Sequence, residues 1–310
     1  MHFLFTDETN LPSDPTAKFF AYGGLIVPPG KLTPLHAGIV EIREAAGYRP
    51  TDELKFQTSA RPGHVSVEQC TTAKNRVVEL CTNLECRFIA YVVLHAIAKN
   101  RPISEVVTWG ASHVIGKFNF FLSTVTGDGV VVVDRLPGAS EYSLLADRFT
   151  KGLTFPDGSQ VQLDRIKLFA SSCSNASHAS SAMDIVLGTF RYCINQPKNV
   201  PAARAMMTNI SKLIWCERDG ENLYPFERGL IFRPKDIKSG AYKKEYEDLL
   251  GSMNSSRRLR LPEALSNKRL KLTGADRFKG TGVFAPWRAR AFVHYSCAHE
   301  RVARSLSAIR

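Results

Sequence analysis

No stretch of this 310-residue chain approaches the ~20 consecutive apolar residues that a membrane helix requires, which argues against a helical membrane protein. Its first residues lack a basic segment followed by an apolar run and a small-residue cleavage site, so no secretory signal is expected there. Seven cysteines (Cys70, Cys81, Cys86, Cys173, Cys193, Cys216 and Cys297) include no Cys-x-x-Cys pair, and their number is odd. That pattern argues against a disulfide framework and for buried, reduced thiols in a cytoplasmic setting. His294, Cys297 and His299 lie close together, but no partner cluster stands at a zinc-site spacing. Gly23-Gly24 is not followed by Gly-Lys-Ser/Thr, so it is no phosphate loop. Acidic residues are scarce only near the end. Residues 252–310 carry 13 Lys/Arg against 3 Asp/Glu, whereas residues 1–251 carry 28 against 26. Ten of the twelve net positive charges therefore belong to the tail, and they do not argue for a basic groove on the body.

The rest is ordinary globular sequence, with 44% hydrophobic and 23% charged residues. Residues 2–9, 18–27, 87–97, 129–134, 165–170 and 229–232 read as strands. Residues 31–46, a segment opened by 63–66, and residues 103–124, 139–151, 178–194, 201–216 and 240–250 read as helices. The turn between Pro12 and Pro15 makes the first two strands an antiparallel hairpin, and Gly23-Gly24 marks a bulge or a close backbone approach. Val130 to Val133, unbroken by a polar residue, reads as a parallel or central strand buried on both faces. A hairpin is expected over 153–163. Alternating strands and helices predict an α/β fold with a mixed sheet over residues 1–251. The tail, 252–310, shows no sustained period and is expected to be solvated and disordered, or to contact nucleic acid through its Lys/Arg clusters.

Certain carboxylates stand out by position. Asp7 and Glu8 end the first apolar strand, and Asp134 ends the valine strand. Asp184 sits among apolar and small residues of a late helix, where an unpaired charge is costly. Glu53 and Lys55 share one side of an extended segment, with Leu54 and Phe56 on the other. Each has a plainer explanation: Glu8 as a turn acid, Glu53 as Lys55's ion-pair partner, Asp134 as the start of a turn, Asp184 as a partly exposed surface acid. Taken together, their order suggests acids that converge at one sheet edge. Such a cluster calls for a counter-cation, and oxygen-only ligation selects Mg²⁺ or Mn²⁺. Two such ions can clamp the attacking and leaving oxygens of a phosphodiester displacement. Lys55 would then meet charge on a phosphate oxygen.

The same residues resemble a bacterial domain-of-unknown-function family, number 3800, of the ribonuclease H-like superfamily. The likeness lies in Phe5-Thr6-Asp7-Glu8-Thr9, the Phe19-to-Val27 strand, Glu53-Leu54-Lys55, Val131-Val132-Val133-Asp134 and Ala182-Met183-Asp184-Ile185-Val186-Leu187-Gly188. It covers roughly residues 1–195 and leaves the tail out. The resemblance implies a ribonuclease H-like mixed sheet with helices on both faces and an Asp/Glu metal site, and it leads to the expectation of nuclease or phosphotransfer activity. Asp7, Asp134, Asp184 and Glu53 would be ligands to Mg²⁺ or Mn²⁺, Glu8 or Glu53 a further ligand or base, and Lys55 a phosphate contact. This chain departs from the family at Thr9-Asn10, where Ser-Gly is usual, and at Ser181-Ala182-Met183-Asp184, where Gln-Leu-Ala-Asp is usual. The missing Gln bears on substrate positioning more than on metal binding. The expected function is a metal-dependent nuclease with nucleic acid as its partner and no membrane. The alternatives are a non-catalytic nucleic-acid or partner-binding module on the same fold, or a metal-dependent hydrolase of small phosphoesters.

Overall fold

The computed structural model describes residues 1–9, 17–99, 101–134, 141–154, 160–172, 176–195, 199–220 and 222–254. The first strand, β1 (His2–Glu8), pairs antiparallel with β2 (Phe19–Val27). After α1 (Leu32–Ala45) comes a stretch of turns and bends with one 3-10 turn at Thr58–Ala60. Then α2 (Val67–Asn83) opens on a capping box between Ser66 and Gln69 and leads to β3 (Arg87–Leu94). The short α3 (His95–Ala98) and the long α4 (Ile103–Thr124) precede β4 (Gly129–Asp134). Next are α5 (Glu141–Lys151), the small antiparallel pair β5 (Leu153–Thr154) and β6 (Gln160–Val161), β7 (Ile166–Ser172) and α6 (His178–Ile194). The described chain closes with α7 (Val200–Ile210), the hairpin β8 (Glu217–Asp219) and β9 (Asn222–Tyr224), β10 (Leu230–Arg233) and α8 (Gly240–Asn254).

The main sheet is mixed and six-stranded, in the order β10-β3-β2-β1-β4-β7. β1 is parallel to β4, β4 to β7 and β10 to β3, while β2 pairs antiparallel with both β1 and β3. Only β2 therefore runs against the other five. One face packs on α1, α2, α6, α7 and α8 through residues such as Phe5, Leu35, Val77, Phe190 and Tyr246. The other packs on α4 and α5 through Leu4, Val114, Phe118, Val131 and Leu145. The expected α/β class and mixed sheet are thus present. Among the described residues no helix is long and apolar enough to cross a membrane. Cys70, Cys81, Cys86 and Cys193 are buried free thiols and Cys216 is half-buried, while Cys173 and Cys297 lie outside the described residues.

Three expected elements differ, each for a local reason. The strand expected over 87–97 stops at Leu94, because its ladder partner Phe19 begins β2; His95 N–H donates to the Lys18 carbonyl and the chain turns into α3. The helix expected over 201–216 stops at Ile210. Leu213 and Trp215 instead exchange backbone hydrogen bonds with Phe88, laying this apolar run beside β3. The helix expected over 240–250 continues to Asn254, past the expected domain boundary at 251. The expectation for the tail falls on residues outside those described, beyond that helix.

Two glycine contacts set how close α6 comes to its neighbours. Gly23 faces α6: a Cβ there would lie 2.8 Å from Met183 Cε and 2.9 Å from Leu187 Cδ1. Its neighbour Gly24 faces α4 in the same way, against Val114. The register runs unbroken through both, so the close approach is real and no bulge accompanies it. On α6 itself, a Cβ at Gly188 would collide with Phe56 Cγ. Gly188→Ala must push Phe56 away, and overpacking of this kind costs about 1–3 kcal/mol. Gly251→Ala meets nothing within 4 Å on α8 and should be neutral or stabilising by up to ~1 kcal/mol. Urea denaturation of the two variants against the parent protein checks this opposite ordering.

Candidate active site

Strand alternation assigns the acids to faces. Phe3, Phe5 and Asp7 of β1 share the face that carries α6, and Leu4, Thr6 and Glu8 share the other. In the parallel β1–β4 pair, Thr6 stands beside Val133, so the next step along both strands sets Asp7 beside Asp134. Neighbouring strands lie about 4.8 Å apart, so the two carboxylates leave the sheet side by side at the C-terminal ends of parallel strands. Across the antiparallel pair, Asp7 stands opposite Gly23. The bare backbone there lets α6 settle onto the sheet, and Asp184 follows Met183, the residue that touches Gly23. The feature that packs the helix also delivers the third acid.

The Glu53–Lys55 element reaches the same place from a loop. Residues 52–55 form no ladder. Leu54 is buried in the core and Phe56 lies over Gly188. The Phe56 N–H donates to Asp184 Oδ2 at 2.7 Å, which replaces the ladder bond that a strand would supply. Lys74 fixes the segment from below. Its Nζ donates to the Phe56 carbonyl at 3.0 Å and to Thr58 Oγ1 at 2.8 Å, and it sits 5.1 Å from the Phe56 ring centroid. Burial holds the Lys74 ammonium below its ordinary value. Lys55 and Glu53 pair at 2.8 Å, each about a third exposed, an interaction of about 0–1 kcal/mol.

All six residues singled out in the sequence (Asp7, Glu8, Glu53, Lys55, Asp134 and Asp184) line one cleft of about 900 Å³. Its electrostatics are unfavourable to the acids. Burial, then Asp184, pushes the Asp7 carboxyl up to about 8, although the Glu8 N–H donates to Asp7 Oδ1 at 2.7 Å. Burial and Asp134 push Glu8 up to about 7. Asp184 is also raised, by burial and by Asp134 and Glu53, with the Phe56 N–H and Lys55 opposing. Lys55 is raised, first by its bond to Glu53 and also by Asp184 and Asp134. The acids of β1, β4 and α6 thus feel one another without enough positive charge to compensate.

Compared with protein-family models and with curated proteins, the chain matches none. What the site can do is therefore read from its own side chains. An all-carboxylate donor set in which burial and like charge raise Asp7, Glu8 and Asp184 fits a hard divalent cation held by oxygen. Among the described residues, no three His, Cys, Asp or Glu side chains converge on one ion-sized point. One oxygen each of Asp7 and Asp184 is directed onto a backbone N–H instead.

The cleft also holds residues that sequence patterning does not single out. His36 and Arg43 come from α1, Asp52 from the loop, and Ser177, His178, Ser180 and Ser181 from the start of α6. Lys74, outside the cleft lining but bonded to the segment that carries Lys55, has a legible signal. It falls at helical core spacing with Cys70, Val77, Val78 and Cys81, and a lysine in an apolar stripe requires partners.

The proton linkage has a definite sign. The folded protein holds the Asp7 proton more tightly than the unfolded chain does. Its contribution to stability is full below about pH 4 and is lost as pH rises through about 8. Asp7→Asn keeps the oxygen that accepts the Glu8 N–H and removes the charge. In EDTA at pH 8 this variant should melt about 4–8 °C above the parent, equivalent to roughly 2 kcal/mol, and the gap should close towards pH 4. Thermal unfolding by circular dichroism across that range measures it.

Proposed function

We propose that the chain is a divalent-metal-dependent nuclease of ribonuclease H-like fold, related to the domain-of-unknown-function family it resembles. One observation carries this reading: three sequence-distant acids, Asp7, Asp134 and Asp184, meet with Glu8, Glu53 and Lys55 in a single cleft. The sheet supports it too. A mixed sheet with helices on both faces, in which β2 alone is reversed, is compatible with the sheet that the resemblance implies. Acids at the carboxyl ends of adjacent parallel strands occupy the usual ligand position of such sheets.

In this reading Asp7, Asp134 and Asp184, with Glu53, would hold Mg²⁺ or Mn²⁺, and a pair of such ions supplies charge neutralisation for the attacking and leaving oxygens of a phosphodiester. The remaining roles belong to the chain. Glu8, with its carboxyl near 7, is suited to accept a proton from water near neutral pH. Lys55 is kept protonated by Glu53 and faces Asp184 and Asp134, so it can meet a non-bridging phosphate oxygen. The Phe56 N–H bond and the Lys74 clamp keep Lys55 at the acid cluster.

Incubation with single- and double-stranded DNA and RNA in Mg²⁺, Mn²⁺ or EDTA tests the proposal. Cleavage is expected with a metal and not in EDTA. Asp7→Ala and Asp184→Asn should each lower it by at least ~10²-fold, and Lys55→Ala by about 10-fold or more. Cleavage that persists in EDTA, or in Asp7→Ala, contradicts the nuclease reading. Metal-independent binding of nucleic acid without cleavage would favour a binding module on the same fold.

A further inference from the structure

We propose that the wall of the cleft formed by His36, Arg43 and His178 binds a second phosphate of the substrate strand, so that the substrate is a polymer of at least about four nucleotides. The inference rests on the nucleic-acid reading of the acidic end of the same cleft.

Three groups able to carry positive charge are packed together there. The His36 and His178 rings lie 4.8 Å apart between centroids. Arg43 Nη1 stands 3.3 Å from His178 Nδ1 and 3.4 Å from Nε2. Arg43 Nη2 donates to the carbonyls of Arg49, Pro50 and Asp52, which ties the guanidinium to the loop without neutralising it. Among the described residues, no salt bridge reaches Arg43, His36 or His178; the nearby Asp52 carboxylate is engaged by the Arg49 N–H and by His64. All three line the cleft, beside the first turn of α6. Burial, Arg43 and His36 hold the His178 imidazole below its ordinary value. An anion placed among the three would reverse that and draw a proton onto the imidazole. A phosphate, with several acceptor oxygens, is the anion such donors suit.

Spacing identifies the anion as part of a chain. His178 and Asp184 are six residues apart on α6, or ~9 Å along the axis at 1.5 Å per residue. One strand of nucleic acid advances about 3.4 Å of axis per nucleotide. A strand with its scissile phosphodiester at Asp184 therefore brings another phosphate, no more than about three nucleotides away, to the histidine–arginine wall. A small phosphoester would reach only the acidic end.

His36→Gln/His178→Gln removes both imidazoles and leaves the Arg43 clamp in place. His36 is exposed and His178 half-buried, so the melting temperature should hold; His36→Gln alone, with a smaller effect in the same direction, serves if it does not. The probes are a fluorescein-labelled 12-nucleotide single-stranded DNA and a labelled dinucleotide, titrated in EDTA at pH 6 and pH 8. The other charged and titratable groups lining the cleft are Arg43, Asp52, Glu53, Lys55, Asp184, Asp7, Glu8, Asp134 and Tyr22, and all are common to both proteins. The difference between parent and variant thus reports the two imidazoles. At pH 6 the variant should bind the 12-mer about 5- to 10-fold more weakly, with a log–log salt slope shallower by about 0.7. Its deficit should shrink at pH 8, and the dinucleotide should bind both proteins alike. Equal affinities and slopes for the 12-mer, or no 12-mer binding by the parent, would overturn the proposal. Metal-dependent cleavage needing Asp7 alongside equal slopes would leave the nuclease reading and remove this one. The expected slope change without cleavage would do the reverse.

Discussion

Like charges under one helix set the terms for this fold. Asp7 and Asp134 leave adjacent parallel strands side by side, and α6 brings Asp184 down onto them. Burial raises the proton affinity of Asp7, Glu8 and Asp184, and mutual repulsion adds to it. Free energy that could have stabilised the native state is instead stored as a demand for positive charge. A core designed only for stability would place none of these acids here.

The surroundings can be understood as what makes that arrangement tolerable. Gly23 removes the side chain that would hold α6 off the sheet, and Gly188 does the same for Phe56 on α6. The Phe56 N–H takes one oxygen of Asp184 and the Glu8 N–H takes one of Asp7, which offsets part of the charge. Lys74, itself buried, holds the segment that carries Lys55 and Glu53. Further along the cleft, Arg43 anchors the 49–52 loop with one side of its guanidinium and turns the other to His178. The cleft is therefore polarised, acidic at the sheet edge and basic where α1 crosses the start of α6.

How much of this was legible in the sequence depended on whether the signal was local. Asp7 and Asp134 stood out because each ends an apolar strand, although a plain turn explains either one alone, and the four-valine run made β4 recognisable as a parallel or central strand. Asp184 was visible because a charge in an apolar helix needs a reason, and α6 occupies the residues its pattern indicated. Glu53 and Lys55 were placed on the right side of their segment, but the segment joins no ladder, since its N–H goes to a carboxylate on a helix 128 residues away. The His36–Arg43–His178 wall was not legible. It arises where α1 crosses α6, and no periodicity within either helix records that crossing. The early end of α7 escaped for a similar reason: Leu213, Ile214 and Trp215 continue a helical pattern but are claimed by β3.

Calorimetric titration with Mn²⁺ at pH 7.5, repeated in buffers of different ionisation enthalpy, addresses the acid cluster most directly. The carboxyl near 8 predicts that Mn²⁺ binds the parent protein with release of protons, and that Asp7→Asn or Asp184→Asn abolishes both the binding and the release. Absence of Mn²⁺ binding, or binding that neither substitution alters and no buffer modulates, would contradict it.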